Sequence, residues 1–146
     1  MKETYYLNGK EVPTIPVPHD CIVKDIKLDD GNLVFSFEDD ISYHDSIKNK
    51  YPKAKTLIMR FHLIQDIYDI NLFIRSKANR FFHKAGVFRE IDLTKRHKDL
   101  LTLTKYNLEY LYHNVGYCSI IVKLWSSNDI ILDITADYVE FEWIEF

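Results

Sequence analysis

The chain has 146 residues, of which 47% are hydrophobic and 14% aromatic, enough for one domain (residues 1–146) with its own core and too apolar for a disordered protein. Its formal net charge of −3 excludes a globally basic nucleic-acid binder, although a local basic patch stays open. No apolar run reaches the ~20 residues of a membrane span, and the first residues lack an apolar secretory signal. Two cysteines are too few for a disulfide framework. We therefore expect a cytoplasmic protein.

The first eighteen residues predict a small hairpin followed by a connector. Residues 5–12 contain Asn8-Gly9, a pair that suits a tight type I′ turn because both central positions of that turn need a positive φ. Repeated prolines in residues 14–18 remove backbone donors and disfavour a central strand, so this stretch is predicted to connect elements.

Residues 21–38 predict a second hairpin. Residues 21–28 and 33–38 alternate apolar and polar side chains, which is typical of strands with one buried face, and residues 29–32 (Asp-Asp-Gly-Asn) favour a turn between them. The polar stretch 39–55 predicts a loop with a short helical turn at 43–50.

Residues 56–75 predict a further pair of strands. Apolar side chains recur at alternate positions in 56–64 and again in 68–75, and we expect these strands to pair through residues 65–67. The two predicted rows are Leu57, Met59, Phe61 and Leu63, and Tyr68, Ile70, Leu72 and Ile74. Residues 76–86 break the pattern.

The rest of the chain predicts a strand, a helix and an antiparallel meander. Residues 87–93 alternate briefly, and Thr94 is predicted to cap a helix at 95–105, although cations in its first turn oppose the helix dipole. Four short strands are expected at 108–112, 117–125, 129–136 and 138–144, with turns at 114–116 and 126–128. The predicted fold is α+β and mainly antiparallel β, with a twisted sheet or sandwich and one helix packed on it.

His19-Asp20-Cys21 places three residue types that bind metals or transfer protons in direct succession. Side chains alternate faces in a strand, so His19 and Cys21 would point one way and Asp20 the other, and the three cannot chelate one ion. We therefore predict no metal here. Asp20 would share its face with the apolar row that begins at Ile22, which predicts a structural carboxylate held by hydrogen bonds at the strand entrance.

Recognisable catalytic patterns are missing from the sequence. It has no Gly-x-Ser-x-Gly elbow, and its four glycines are too few for a phosphate-cradling loop. His44-Asp45 repeats the His-Asp pair, yet the chain is not mainly helical and so does not match the HD-type metal phosphohydrolases. The pair Glu140 and Glu142 fits a strand with a solvated face better than a glycosidase site. We predict a non-enzymatic protein without a cofactor.

Positive charge is concentrated in residues 75–98, which hold eight cations against two carboxylates. The cations are Arg75, Lys77, Arg80, Lys84, Arg89, Lys95, Arg96 and Lys98. Between residues 80 and 84 cations interleave with aromatic rings, as in single-strand nucleic-acid binders. The alternatives are an acidic protein partner steered by local charge, and a loop whose phenylalanines anchor it in the core. The candidate binding surface comprises Arg80, Phe81, Phe82, Lys84, Arg89 and Arg96.

Three stretches of the chain carry a resemblance to other proteins. Residues 19–26 (HDCIVKDI), 33–37 (LVFSF) and 138–143 (YVEFEW) look like a broad set of small uncharacterised bacterial β-rich proteins. Some of these are similar to immunity proteins of polymorphic toxin systems, which neutralise a toxin by binding it. The resemblance implies a cytoplasmic binding module and carries over no catalytic residues.

The leading hypothesis is a small non-enzymatic protein-binding module that acts through the basic span and exposed aromatic residues. An immunity-type inhibitor is one kind of such a module. Binding of nucleic acid or another anion through the basic span is the alternative, and metal-dependent hydrolysis is a further one.

Overall fold

One antiparallel sheet of nine strands dominates the computed structural model, which describes residues 1–75 and 87–146. The strands are β1 (Lys2–Tyr6), β2 (Ile22–Asp29), β3 (Asn32–Phe37), β4 (Ala54–Leu63), β5 (Ile70–Arg75), β6 (Phe88–Ile91), β7 (Leu108–Gly116), β8 (Ser119–Trp125) and β9 (Asp129–Glu145). The other described elements are the helices α1 (Asp45–Lys48) and α2 (His97–Leu101) and the 3₁₀ turns Asp66–Asp69 and Leu103–Lys105. The predicted α+β class, with a mainly antiparallel twisted sheet, is confirmed.

The sheet closes on itself because β9 pairs with different strands along its two halves. In hydrogen-bonded order the strands run β4, β3, β2, β7, β8 and β9, and β9 then pairs with β4. The first half of β9 pairs with β8 and β5, whereas its second half pairs with β4 and β1. β6 extends the sheet beyond β5. The result is a ring of six strands with β1 and the β5–β6 hairpin attached to β9.

Alternation of side chains places the core inside this ring. The alternating apolar side chains of residues 57–63 in β4 are all buried, as their shared predicted face requires. Trp143, near the end of β9, is 2% exposed and stacks on Tyr51 with 4.0 Å between ring centroids. In β9 the buried positions change from even to odd numbers near Asp137, where the register with β4 shifts. This β-bulge lies where the sequence predicted two separate strands, 129–136 and 138–144.

The predicted pairing between β4 and β5 is wrong. Both strands run antiparallel to β9 along successive stretches of it, and they do not pair with each other. Asp66 has a φ of 58° and begins a 3₁₀ turn, and the buried Asp69 carboxylate accepts the backbone N–H groups of Ile64 (2.6 Å) and Gln65. This turn carries the chain forward along β9 instead of reversing it. Tyr68 therefore lies in the turn, exposed, rather than in the apolar row.

The predicted hairpin at residues 5–12 is also wrong. β1 pairs with β9, and neither Asn8 nor Gly9 adopts the positive φ of a type I′ turn. Leu7 is buried, its N–H donates to the Asp137 carbonyl oxygen, and its own carbonyl accepts from Cys118. Backbone partners far along the chain thus replace the local hairpin.

Thr94 does not cap a helix. Its hydroxyl and backbone N–H both bind the Asp92 carboxylate, and α2 begins three residues later with Arg96 at the N-cap position and no side-chain cap. The predicted helix at 95–105 is reduced to α2 and the following 3₁₀ turn, consistent with the unfavourable cations in its first turn. Leu100 on α2 is buried, and α2 packs against β2.

Three of the predicted turns are confirmed. β2 and β3 form the expected hairpin, with positive φ at Asp30 and Gly31, and α1 provides the short helical turn predicted at 43–50. β8 and β9 are joined at residues 126–128, with Ser127 at a φ of 61°. The turn predicted at 114–116 lies later, because β7 continues to Gly116 and the chain reverses through Cys118, whose φ is 49°.

We expect Asp69→Ala to lower the free energy of unfolding by about 2–3 kcal/mol, because two backbone N–H groups lose their acceptor. Asp69→Asn keeps one amide oxygen and should cost about half as much. Urea denaturation measures both, with the exposed Asp45→Ala as a control that should change stability by less than ~0.5 kcal/mol. Equal effects of Asp69→Ala and the control would contradict this role.

Candidate functional site

The stretch His19-Asp20-Cys21 does not form a metal site. Asp20 has a φ of 65°, so it does not follow strand alternation, and its exposed carboxylate lies 3.3 Å from Nε2 of His19. His19 donates from Nδ1 to the carbonyl oxygen of Leu111 at 2.6 Å, whereas Cys21 points into the core. The predicted position of Asp20 at the head of a buried row is therefore wrong, because β2 begins only at Ile22.

The Cys21 thiol is buried and unsuited to nucleophilic chemistry. Burial, together with the nearby carboxylates of Glu38 and Asp20, raises the pKa of Cys21 to about 12. Since only the thiolate is an effective nucleophile, the protonated thiol at neutral pH serves as a small core side chain.

The Glu38 carboxylate links the second His-Asp stretch, His44-Asp45, to the start of β2. It accepts from His44 Nε2 at 2.8 Å, from the Tyr43 hydroxyl at 3.2 Å and from the backbone N–H of Ile22 at 3.3 Å. Both His44 and Glu38 are mostly buried. Asp45 lies outside this cluster and pairs with a lysine of α1. With three donors on one carboxylate, this cluster ties the loop before α1 to the sheet.

A hydrogen-bonded chain of Tyr110, His113 and Ile15 lies inside the core. His113 Nε2 lies 3.1 Å from the carbonyl oxygen of Ile15, which can only accept, so Nε2 carries the proton. Nδ1 must then accept from the Tyr110 hydroxyl at 2.6 Å. Burial lowers the pKa of His113 and raises that of Tyr110, so both groups are neutral near pH 7.

Ionic contacts on the outer face join β4 to β9. Arg60 binds Glu140 at 3.1 Å and Glu142 at 2.6 Å, and the hydrogen bond from Arg60 lowers the pKa of Glu142. His62 Nδ1 donates to the Asp137 carboxylate at 2.6 Å. Both glutamates are thus engaged by one arginine on the partly solvated face that the sequence predicted for them.

The predicted candidate surface is only partly described. Arg80, Phe81, Phe82 and Lys84 lie outside the described residues, so their role stays a prediction. Arg89 is exposed on β6, and Arg96, just before α2, pairs with Asp99 at 2.7 Å. Both residues are exposed, and their part in a binding surface stays a prediction.

The outer face of β7, β8, β9, β5 and β6 carries a group of large side chains. Directly opposed residues of paired strands point to the same face, so the register defines rows that cross the five strands. The central row is Tyr112, Lys123, Ile131, Phe73 and Glu90. The flanking rows are Glu109, Trp125, Asp129, Arg75 and Phe88, and Asn114, Ile121, Asp133 and Asn71. We call these three rows the aromatic face.

Apolar side chains on neighbouring strands of the aromatic face are accessible to solvent. Tyr112 is 45% exposed, Ile121 40% and Trp125 42%, and Ile131 and Phe73 beside them are half-buried. Strand and residue spacings make the face about 19 Å wide and ~14 Å high. Tyr112 lies opposite Lys123, and Ile121 and Trp125 are its diagonal neighbours on β8. The face thus combines exposed apolar side chains with charged ones, a mixture found at protein interaction surfaces.

The sequence did not predict the aromatic face, because an alternating pattern assigns only one apolar side to each strand. Ile120-Ile121-Val122 in β8 and Ile130-Ile131-Leu132 in β9 interrupt the alternation and place apolar side chains on both sides. Such runs in strands that otherwise alternate were the available signal.

Two adjoining hollows beside β5 and β6 have acidic walls. Their volumes are about 410 and 470 Å³, and they share Ile67, Leu93 and Thr94. Their carboxylates are Asp29, Asp30, Asp66, Glu90 and Asp92, and no Lys or Arg is among the described lining residues. Glu90 also belongs to the aromatic face, so the hollows continue that surface.

Within residues 1–75 and 87–146, no three His, Cys, Asp or Glu side chains are grouped as metal ligands. In the same residues no helix has the length and apolar character of a membrane span. No protein-family model matches the chain, and comparisons with curated proteins and with solved structures find no match. Function must therefore be inferred from the chain's own residues.

We expect the stability of the fold to fall below about pH 6.5, the pKa of an unfolded histidine, because the buried His113 resists protonation. Its lowered folded-state pKa means that the unfolded chain binds the proton first as the pH falls. His113→Gln removes this contribution. Urea unfolding at about pH 7.5 and about pH 5 should show the wild type losing more stability than the variant. Parallel losses would contradict a neutral His113.

Proposed function

We propose that this protein is a non-enzymatic protein-binding module and that the aromatic face is its contact surface. The observation that carries the proposal is the cluster of Tyr112, Ile121 and Trp125, each about two-fifths exposed, on the neighbouring strands β7 and β8. Single exposed apolar residues are common on protein surfaces, whereas a contiguous group is not.

The composition of the aromatic face supports recognition of a protein. Tryptophan and tyrosine are enriched among residues that dominate binding energy, because each buries a large rigid surface and loses few rotamers. Trp125 and Tyr112 have this character. Lys123 lies between Ile121 and Trp125 on β8, and its Nζ is 5.6 Å from the centre of the Tyr112 ring. A polar rim around apolar side chains is the usual arrangement of a transient interface.

The groups with catalytic potential support binding rather than turnover. Cys21 and His113 are buried and neutral, and His44 is engaged by Glu38. The charged residues of the aromatic face are carboxylates, a lysine and an arginine that already pairs with Asp129. None of them is the nucleophile of a recognisable nucleophile–base pair.

The resemblance to immunity proteins is compatible with the same proposal. For an immunity-type inhibitor the partner is a toxin, and binding is the entire function.

The test is recovery of a partner from an extract of the organism that encodes the chain, with the full chain immobilised. Ile121→Arg combined with Trp125→Arg should weaken retention of a specific protein by roughly a hundredfold or more, since loss of a central side chain costs about 2 kcal/mol. Quantitative mass spectrometry of the retained proteins provides the measurement.

Val12→Arg combined with Ile64→Arg is the matched control, because both residues are exposed apolar side chains outside the aromatic face. This control adds the same charge and should retain the partner fully. The same retained proteins for all three chains, or no specific protein for the wild type, would overturn the proposal.

A further inference from the structure

We infer that the aromatic face recognises a cationic protein surface, one that presents lysine or arginine side chains around an apolar centre. This inference rests on the proposed function and adds the chemistry of the partner. It follows from the charges that surround the apolar side chains and from the absence of ion pairs to three of the face's carboxylates within residues 1–75 and 87–146.

Each of three apolar residues on the face has a carboxylate directly across a strand pair. Trp125 lies opposite Glu109 in the β7–β8 register. Ile121 lies opposite Asp133 between β8 and β9, and Phe73 lies opposite Glu90 between β5 and β6. A ligand that covers the apolar side chains must therefore approach all three carboxylates.

These carboxylates lack cationic partners within the chain's described part. Arg75 is already bound to Asp129 at 3.0 Å, and neither Glu109, Asp133 nor Glu90 forms an ion pair there. Lys123 is the remaining cation of the face. The face thus has four carboxylates against two cations.

The acidic character continues beyond the face through the two hollows, which Glu90 joins to it. Covering a carboxylate without a partner is costly, so an acidic or phosphate-rich ligand is disfavoured on this surface. Lysine or arginine side chains on the partner satisfy the same carboxylates and steer the encounter. Charge complementarity therefore favours a basic protein over a nucleic acid.

The experiment uses two fluorescein-labelled peptides of about 12 residues, long enough to cross the face. One alternates lysine with valine and threonine, and its twin has glutamate in place of every lysine. Fluorescence anisotropy with the full chain should show the lysine peptide binding at least ~10-fold more tightly. That preference should shrink several-fold between about 50 and about 300 mM NaCl.

Asp133→Lys combined with Glu90→Lys should reverse the preference toward the glutamate peptide. Glu11→Lys combined with Asp25→Lys makes the same change in net charge on exposed residues outside the face and should keep the original preference. Thermal melting followed by circular dichroism checks that each variant is folded. If the lysine variant unfolds, Asp133→Asn combined with Glu90→Gln replaces it. This neutral variant should lose most of the preference for the lysine peptide.

Equal affinity for both peptides, binding of neither peptide, or the same response of both double lysine variants would overturn the cationic partner. Those results leave the retention experiment with Ile121 and Trp125 untouched. Failure of that experiment would instead overturn the aromatic face as the contact surface.

Discussion

The pairing of β9 along two halves of its length is the constraint on which the rest of the structure depends. Its 17 residues give β8 and β5 a partner in the first half and β4 and β1 a partner in the second. A straight strand could not serve both sets with one buried face. The bulge near Asp137 moves the inward side from even to odd positions, and the ring closes because of it.

The sequence predicted which side of each strand is buried better than it predicted which strands pair with each other. Alternation in residues 57–63 identifies the buried side whichever strand lies beside it, because period-two patterning reflects burial alone. Pairing depends on long-range contacts, so the local signals at Asn8-Gly9 and at residues 65–67 did not determine it. At Leu7, backbone hydrogen bonds to residues distant in sequence determine the path of the chain. At Asp69, hydrogen bonds from nearby backbone N–H groups to the carboxylate determine it.

The candidate site was harder to predict for a related reason. His19 and Cys21 are candidate ligands by residue type alone. The positive φ of Asp20 between them places their side chains in different environments. The aromatic face consists of residues that look like ordinary core formers in sequence. Their exposure depends on which side of β8 and β9 meets the inside of the ring, and this is a property of closure rather than of any local pattern.

The two tryptophans of the chain report on different levels of its organisation. Trp143 is sealed at the end of β9, stacked on Tyr51 and bonded through Nε1 to Glu3, so its fluorescence follows the integrity of the ring. Trp125 is 42% exposed on the aromatic face, so we expect its emission to lie at longer wavelength than that of Trp143 and to be more accessible to quenchers such as iodide. One emission spectrum of the unlabelled protein therefore contains separate signals for global unfolding and for coverage of the surface.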